Sequence, residues 1–412
     1  MNAQPTFSGQ DSPILLAYSG GLDTSFCVPW LKENYGRPVI TVTVDTGGID
    51  EDARRELAAR SEALGAAEHL LIDARQAFFD QVLRWLIAGN VRRGGLYPLC
   101  VGAERGIQAA RMAAAAAEHG ADTVAHGCTA AGNDQVRFEV ALRTLNPALE
   151  VLAPVRDNSW ARQDQLAYLE EHGMPVPKSG SAYSINRGLW GVTIGGRETL
   201  DSSGSIPEEA WVLSSGVLAE ARAPESHRIG FEQGRPVSID GEKLEPVALI
   251  EQLETLGGSF AIGRGIHLGD TILGTKGRVA FEAPAAEILL TAHRELEKLV
   301  LSGPQQRIKD TVAAAYGDFV HEGRQLDPVC RDIEALLASS QARVTGEVTV
   351  QLRPGSLLVE GVASPYSLMA ASKGVYGEAA GEWTPADALG HARILSLTGM
   401  LQTRAARQAE DG

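Results

Sequence analysis

Through about the first 175 residues, short apolar and β-branched runs alternate with longer stretches of helical composition. Ile14–Tyr18 (ILLAY) is apolar throughout, as expected of a strand covered on both faces, and a Gly-Gly turn and a helix through Lys32 follow it. Val39–Asp45 predicts a second strand, and Glu51–Gly65 a helix ended by glycine. His69–Ala74 reads as a third strand. The alanine-rich stretch Gly106–Glu118 reads as a helix stopped at Gly120, and Asp122–Gly127 and Leu149–Val155 as further strands. Strands spaced by such helices predict βαβ units, hence an α/β domain with a doubly wound parallel sheet. A ligand is expected at the carboxyl ends of its strands.

After about Lys178 the texture changes. Glycine and short strand candidates dominate: GVTIGG (191–196), AWVLSSG (210–216), RIGFEQGRPVSIDG (228–241) and GDTILGTKGRVAFEAP (269–284). Helices are expected near Ala285–Ser302 and Gln305–Phe319, and a strand pair around an Arg-Pro-Gly turn in Val344–Val362. This is a separate α+β domain. Thr384–Gly412 predicts an amphipathic C-terminal helix, suited either to a neighbouring subunit or to capping its own domain. The expected organisation is 1–176 for the first domain, 177–383 for the second, and 384–412 for the helix.

The chain's 412 residues carry 37 Lys plus Arg against 52 Asp plus Glu, a formal charge of −15. That balance disfavours nucleic acid or an anionic membrane surface as partner. Four scattered cysteines with no CxxC pair exclude a disulfide framework and the common zinc spacings, and suit a reducing cytoplasm. The opening MNAQPTFSGQDSP shows no signal-peptide pattern, and no apolar run is long enough to span a bilayer. His119 and His126 lack a third ligand, so no metal site formed by side chains alone is expected. Lys276 and Arg278 are expected at a solvated edge, and Glu51–Arg60 on the wet face of its helix.

Chemistry enters at Ser19-Gly20-Gly21-Leu22-Asp23-Thr24-Ser25, between a strand and a helix. Successive glycines let several N–H groups converge on one anion, and the helix N-terminus and hydroxyls add donors. No GK[ST] follows, so this is not a Walker A loop. Pro29, inside the expected helix, should kink or restart it. The string resembles the PP-loop of ATP pyrophosphatases, which implies cleavage of ATP to AMP and pyrophosphate. Mg2+ would neutralise the pyrophosphate, with Asp23 the nearest candidate to help hold it.

A second polar set follows the strand Asp122–Gly127. Thr129, Asn133, Asp134 and Arg137 offer a hydroxyl, an amide, a carboxylate and a guanidinium, a set able to hold an amino acid's ammonium and carboxylates. The bland alternative makes GND a turn and Asp134 an N-cap.

SGGLDTS, Tyr97-Pro98-Leu99, GNDQVRFE (132–139), Tyr183-Ser184-Ile185 and Leu189-Trp190-Gly191 occur in one order. From about Ile14 to the C-terminal helix, that order and spacing resemble the argininosuccinate synthase family. The resemblance implies a PP-loop nucleotide domain plus a synthetase domain, a homotetramer with swapped C-terminal helices, and condensation of citrulline with aspartate as ATP becomes AMP and pyrophosphate. It implies ATP contacts from Ala17, Tyr18, Ser19, Gly20, Gly21, Leu22, Asp23, Thr24, Ser25, Val44 and Gly127. Thr129, Asn133 and Asp134 would bind aspartate. Tyr97, Asn133, Arg137, Ser184, Thr193 and Phe281 would face the ureido acceptor, with Asp23, Asp134 and Arg105 nearest the chemistry. Because ATP, pyrophosphate and aspartate are anions, the excess acid is expected outside the cleft, with Arg105 and Arg137 keeping the site positive.

The acceptor half departs from the family's strings. Cys100 to Gly106 replaces the family's usual run into LARP, keeping only Arg105. Thr129-Ala130-Ala131-Gly132 replaces a TGKG turn, and Asn186-Arg187-Gly188 replaces D-E-N. The family's citrulline-binding Glu falls on Gly269, and a Tyr on Phe281. Two readings follow: a rearranged citrulline site, or one re-cut for another ureido, amide or carboxylate acceptor. A tRNA-thiolating enzyme is disfavoured by the acidic charge and unpaired cysteines, and an amidotransferase by the opening Met1-Asn2. A non-catalytic nucleotide-binding protein on the same scaffold is the alternative from another class.

Overall fold

The structure, a computed structural model, describes residues 12–176 and 183–411. Most of the N-terminal stretch read for a leader lies outside the described residues. So do residues 177–182, where the texture changes, and the last residue of the C-terminal segment.

Five parallel strands form the first layer: β1 Ile14–Ala17, β2 Val39–Asp45, β3 Glu68–Asp73, β4 Thr123–His126 and β5 Glu150–Leu152, in the order β3-β2-β1-β4-β5. β1 lacks polar alternation because both its faces are covered. Ile14 and Leu16 pack with Phe26 of α1 (Leu22–Tyr35), whereas Leu15 packs with Met112 and Phe138 on the other face. α2 (Glu51–Ala63) follows β2. α5 (Arg105–Glu118) and α6 (Asp134–Leu145) flank β4.

Several expectations need correction. Pro29 lies inside one uninterrupted α1, and no second helix begins there. β5 stops at Leu152, because Pro154 opens the short helix α7 (Pro154–Asp157); α8 (Arg162–Glu171) follows. A helical stretch missed in the sequence runs from α3 (Arg75–Phe78) through a wider π turn (Phe79–Leu83) into α4 (Arg84–Gly89).

Two antiparallel sheets complete the larger body. One has the order β10-β9-β8-β13-β14, from β8 (Glu225–Glu232), β9 (Arg235–Ile239), β10 (Glu242–Lys243), β13 (Gly346–Arg353) and β14 (Ser356–Ala363). The other has the order β11-β12-β7-β6, from β6 (Ser184–Gly188), β7 (Gly191–Gly195), β11 (Arg264–Asp270) and β12 (Lys276–Glu282). AWVLSSG is not a strand. Its Val212 and Leu213 N–H groups donate to the Glu282 carboxylate at 2.5 and 2.8 Å instead of to a neighbouring strand. α10 (Pro284–Val300) and α11 (Gly303–His321) match the two expected helices, while α9 (Pro246–Gly258) and α12 (Pro328–Gln341) are additional.

The largest buried cluster joins both antiparallel sheets to their helices and to Tyr97, Leu99 and Ile107, while two further clusters cover the two faces of the parallel sheet. Trp190, fully buried, donates from Nε1 to the Pro98 carbonyl at 3.0 Å, locking the two halves of the sequence together. Within that core Lys309 is fully buried yet paired, with Glu297 at 2.9 Å and the Ala88 carbonyl at 3.0 Å. Such burial is tolerable only because both partners are satisfied. Arg278 is no solvated edge residue: it donates to the carbonyls of Glu198, Asp201 and Gly204, while Lys276 pairs with Asp270 at 2.5 Å.

The chain divides into two compact units, one to Ser364 and one from Pro365. The second holds α13 (Leu368–Ala371) and α14 (Pro385–Glu410). α14 opens with a capping box, in which Thr384 accepts from the Asp387 N–H and Asp387 accepts from the Thr384 N–H.

Candidate functional site

In the strand order β3-β2-β1-β4-β5 the direction of winding reverses between β1 and β4, and a crevice opens beyond the carboxyl ends there. It holds a cavity of about 580 Å³. The Ser19–Ser25 loop leaves β1 at this point and enters α1. Gly20 has φ +72°, a left-handed conformation, and a Cβ there would fall 2.6 Å from Leu57 Cδ2. Across the crevice, Gly127 follows β4 so closely that a Cβ would stand 3.0 Å from Thr24 Cγ2. Hydroxyls tie the loop, with Ser19 Oγ and Thr24 Oγ1 3.2 Å apart and Thr24 Oγ1 donating to the Gly21 carbonyl at 3.3 Å. Ala17, Tyr18, Ser19, Gly21, Asp23 and Thr24 line the cavity, as do Val44 and Gly127. Gly20, Leu22 and Ser25 support the loop without facing the cavity.

Arg60 reaches this loop from α2, donating to the Gly20 carbonyl at 2.6 Å, and Arg54 of the same helix pairs with the buried Asp45 at 2.7 Å. The face of α2 expected to be wet therefore braces the site. No local pattern marks this, because the partners lie on β1 and β2. His126 lines the cavity, stacked on Phe138 at 5.7 Å. Burial, aided by Arg156, pushes its pKa down to about 4, so the ring is neutral, with Nδ1 accepting the Cys128 N–H at 3.3 Å.

Opposite the loop, Asp134 begins α6 and lies between two guanidiniums: Arg105 Nε is 3.0 Å from one oxygen, and Arg137 Nη1 donates to the other at 2.7 Å. Burial alone would raise this carboxyl, but the two arginines outweigh it and hold the pKa near 2. The residues before α6 do turn, as the bland alternative had it, but Asp134 is not the N-cap: that position is Asn133's, and the Asp134 oxygens pair with arginines. Asn133 Oδ1 accepts the Ile272 N–H at 2.9 Å, tying this turn to the loop between β11 and β12. Thr129 is exposed.

The expected acceptor residues converge in part. Tyr97 packs edge-on against Phe281 at 5.2 Å and stacks on His267 at 5.3 Å. Thr193 pairs with Phe281 across β7 and β12. Arg137 is buried, donating from Nε to the His321 carbonyl at 2.7 Å and from Nη2 to His321 Nδ1 at 3.2 Å. Ser184 starts β6 opposite Gly195 and is exposed. At Gly269, a Cβ would stand 2.5 Å from His267 Nε2, so the imidazole fills the space a longer side chain would need. His267 and His321 were not singled out for this site in the sequence, since neither lies near its partners along the chain.

The expectation of a positive cleft needs correction. Arg60, Arg105 and Arg187 line the cavity, but so do Asp23, Glu56, Glu104 and Asp134. Side-chain charge alone therefore does not make the cavity positive, and the feature here suited to an anion is the N-terminus of α1. Among the described residues no cluster of three metal-ligating side chains occurs. A lone carboxylate at Asp23 fits a magnesium ion held mainly by phosphate oxygens and water.

Comparison with known proteins agrees with this architecture. Residues 13–175 match the family model described as the arginosuccinate synthase N-terminal HUP domain, and residues 183–402 match the arginosuccinate synthase C-terminal domain. The chain is 40% identical to the argininosuccinate synthase of Methanocaldococcus jannaschii over 86% of this chain and 89% of that one. It is 38% identical to the enzyme of that name from Dehalococcoides mccartyi, over 95% of this chain and 96% of the relative. For the Symbiobacterium thermophilum argininosuccinate synthase the figures are 39% over 89% and 91%. With both domain models matched in sequence order and such relatives along nearly its whole length, the chain belongs to the argininosuccinate synthase family.

Proposed function

We propose that this protein joins the α-amine of aspartate to the ureido carbon of citrulline, forming argininosuccinate while ATP is cleaved to AMP and pyrophosphate. One observation supports the reading: Ser19, Gly21, Asp23 and Thr24 of the loop line one cavity with Arg105 and Asp134, the latter paired also with Arg137. A ureido carbonyl is a poor electrophile because two nitrogens donate into it. Transfer of AMP to its oxygen makes that oxygen a leaving group, which the amine displaces. No protein nucleophile is needed, so positioning and charge stabilisation do most of the catalysis.

In this reading the loop from Ala17 to Ser25, with Val44 and Gly127, holds ATP. A magnesium ion beside Asp23 would offset charge on the departing pyrophosphate. Asp134, ionised at neutral pH and flanked by arginines, orients aspartate together with Thr129 and Asn133. Tyr97, Arg137, Ser184, Thr193 and Phe281 form the acceptor side. A second reading keeps the chemistry and changes the acceptor to another ureido, amide or carboxylate compound. The imidazole filling the space at Gly269 favours it. The four free cysteines suit a reducing cytoplasm, and the exposed apolar residues Ile394, Leu395 and Met400 on α14 suit assembly into a homotetramer.

Incubation with ATP, Mg2+, aspartate and citrulline should release AMP, pyrophosphate and argininosuccinate in equal amounts. Pyrophosphate release with another acceptor but not with citrulline would select the second reading. No release with any ureido, amide or carboxylate compound would refute both.

A further inference from the structure

One side chain on the cavity wall has chemistry that the roles above leave unused. Glu104 precedes α5 and is 2% exposed. Its Oε2 accepts from Thr46 Oγ1 at 2.8 Å and from Gln108 Nε2 at 3.4 Å. Its Oε1 is buried and accepts no hydrogen bond among the described residues. That oxygen packs against the α-carbon of Gly188, where a Cβ would stand 1.6 Å away, so any residue but glycine would push the carboxylate out of its place. Gly188 ends β6, whose Ile185, Asn186 and Arg187 line the same cavity as Glu104.

Arg105 stands between two carboxyls, 3.0 Å from Asp134 and 3.8 Å from Glu104. The two behave oppositely. Burial pushes the Glu104 pKa up to about 7, with Arg105 and the Thr46 hydrogen bond pulling down and Asp134 and Asp45 pushing further up. Asp134, held near 2 by its two arginines, is too weak a base to matter at neutral pH. His126 is little better, with its Nδ1 already accepting. Neighbouring carboxyls pushed apart in this way commonly divide the acid and base roles of a site.

We propose that Glu104 accepts the proton that the amine donor sheds before it attacks. The proposal rests on the ligase reading above. The donor arrives as an ammonium; one N–H proton passes to the Glu104 carboxylate, and the freed lone pair forms the C–N bond at the adenylated ureido carbon. The C–O bond to AMP then breaks, its electron pair leaving on the phosphate oxygen. With the adenylated ureido group as the neutral isourea, its two N–H protons and the two left on the amine become the four of the guanidinium product, so one proton and one acceptor balance the step.

Glu104→Gln tests this, because it keeps the size and can still meet Thr46. Adenylation of citrulline without aspartate, followed as pyrophosphate exchange into ATP, should stay within a few-fold. The aspartate-dependent step should slow by at least about 100-fold. In the unaltered protein, activity should rise with pH through about 7, and this acid limb should vanish in E104Q. Thr46→Val removes a bond that pulls the Glu104 pKa down, so the limb should move to higher pH. That readout stands even if E104Q fails to fold. The groups facing Glu104 are Arg105, Asp134 on α6, which also pairs with Arg137, and Asp45 on β2, which pairs with Arg54. An unchanged pH profile in either variant, or equal loss of both half-reactions in E104Q, would overturn the proposal while the ligase reading stood. Absence of pyrophosphate from the unaltered protein would overturn the ligase reading first, and this proposal with it.

Discussion

The loop proposed to hold ATP keeps its shape largely through backbone, whereas the residues proposed to face the acceptor are positioned by side chains brought from distant segments. Gly20 with its positive φ, Gly127 pressed under Thr24, and α1's N-terminus make the first wall. Tyr97 on His267 and Phe281, and Arg137 on His321, make the second. A backbone site has few tolerated substitutions, because any Cβ in the wrong place closes it. A side-chain site can be rebuilt one residue at a time, provided each buried polar group finds a partner. That contrast agrees with where the sequence departs from the family's strings as read above: the loop string is intact, and the departures fall at residues 100–106, 129–132, 186–188, 269 and 281.

The sharpest way to break the contrast is to remove the charge that lies between the walls. Asp134→Asn keeps the volume but leaves Arg105 and Arg137 facing a neutral amide. Loss of a charged contact to the donor's ammonium costs about 2–5 kcal/mol of binding, so kcat/KM for aspartate should fall about 10³-fold. ATP KM should stay within a few-fold, since the loop does not touch Asp134. If ATP KM rises as far as kcat/KM falls, the two walls are not independent. The same carboxyl carries a pH signature. Its folded pKa of about 2 lies below the ordinary value of 3.8, so its stabilisation is complete above about pH 4 and lost as pH falls through 2. Denaturant titrations should show a flatter acid limb of stability in D134N than in the unaltered protein.

Gly127→Val attacks the backbone wall alone. Its Cβ would press on Thr24 Cγ2 at 3.0 Å and on the Asp23 carbonyl carbon at 3.1 Å, tilting the loop's donors away from the phosphates. Misplacement of that order can cost up to about 100-fold, which should appear in ATP KM with little change in acceptor KM. Measured by isothermal titration, ATP binding as tight as in the unaltered protein would refute the steric argument.

The same contrast explains what could be read before the structure was known. A strand, two glycines and a helix are consecutive in sequence, so the loop, the parallel sheet and the position of its cavity were legible from residues 14–45. Asp134 stood out as well, but its partner Arg105 lies in another segment, and only geometry separates an ion cluster from a helix cap. Arg54 and Arg60 looked like a solvated face because their partners, Asp45 and the Gly20 carbonyl, are on other elements. α9 and α12 were missed although each begins with a proline, since their apolar residues serve a core assembled from elements far apart in the chain. His267 and His321 fell to the same cause. Local signals report local partners, and the acceptor wall has few.

Phe281→Tyr probes the acceptor wall with the smallest change, a single hydroxyl. The resemblance suggests that restoring it should help, whereas the packing argues otherwise. The ring tip occupies the space that a Cβ on Gly265 would need, 2.3 Å from Phe281 Cζ, and the residue is only 3% exposed. A hydroxyl on Cζ would crowd the β11 backbone at Gly265. Overpacking of this kind costs about 1–3 kcal/mol, so F281Y should lower Tm by a few degrees and leave citrulline KM unimproved. If instead the variant kept its Tm and bound citrulline at least tenfold tighter, β11 would have yielded to the hydroxyl. The acceptor wall would then be as open to a single substitution as its side-chain construction permits, and the change at this position would be one of specificity rather than of packing.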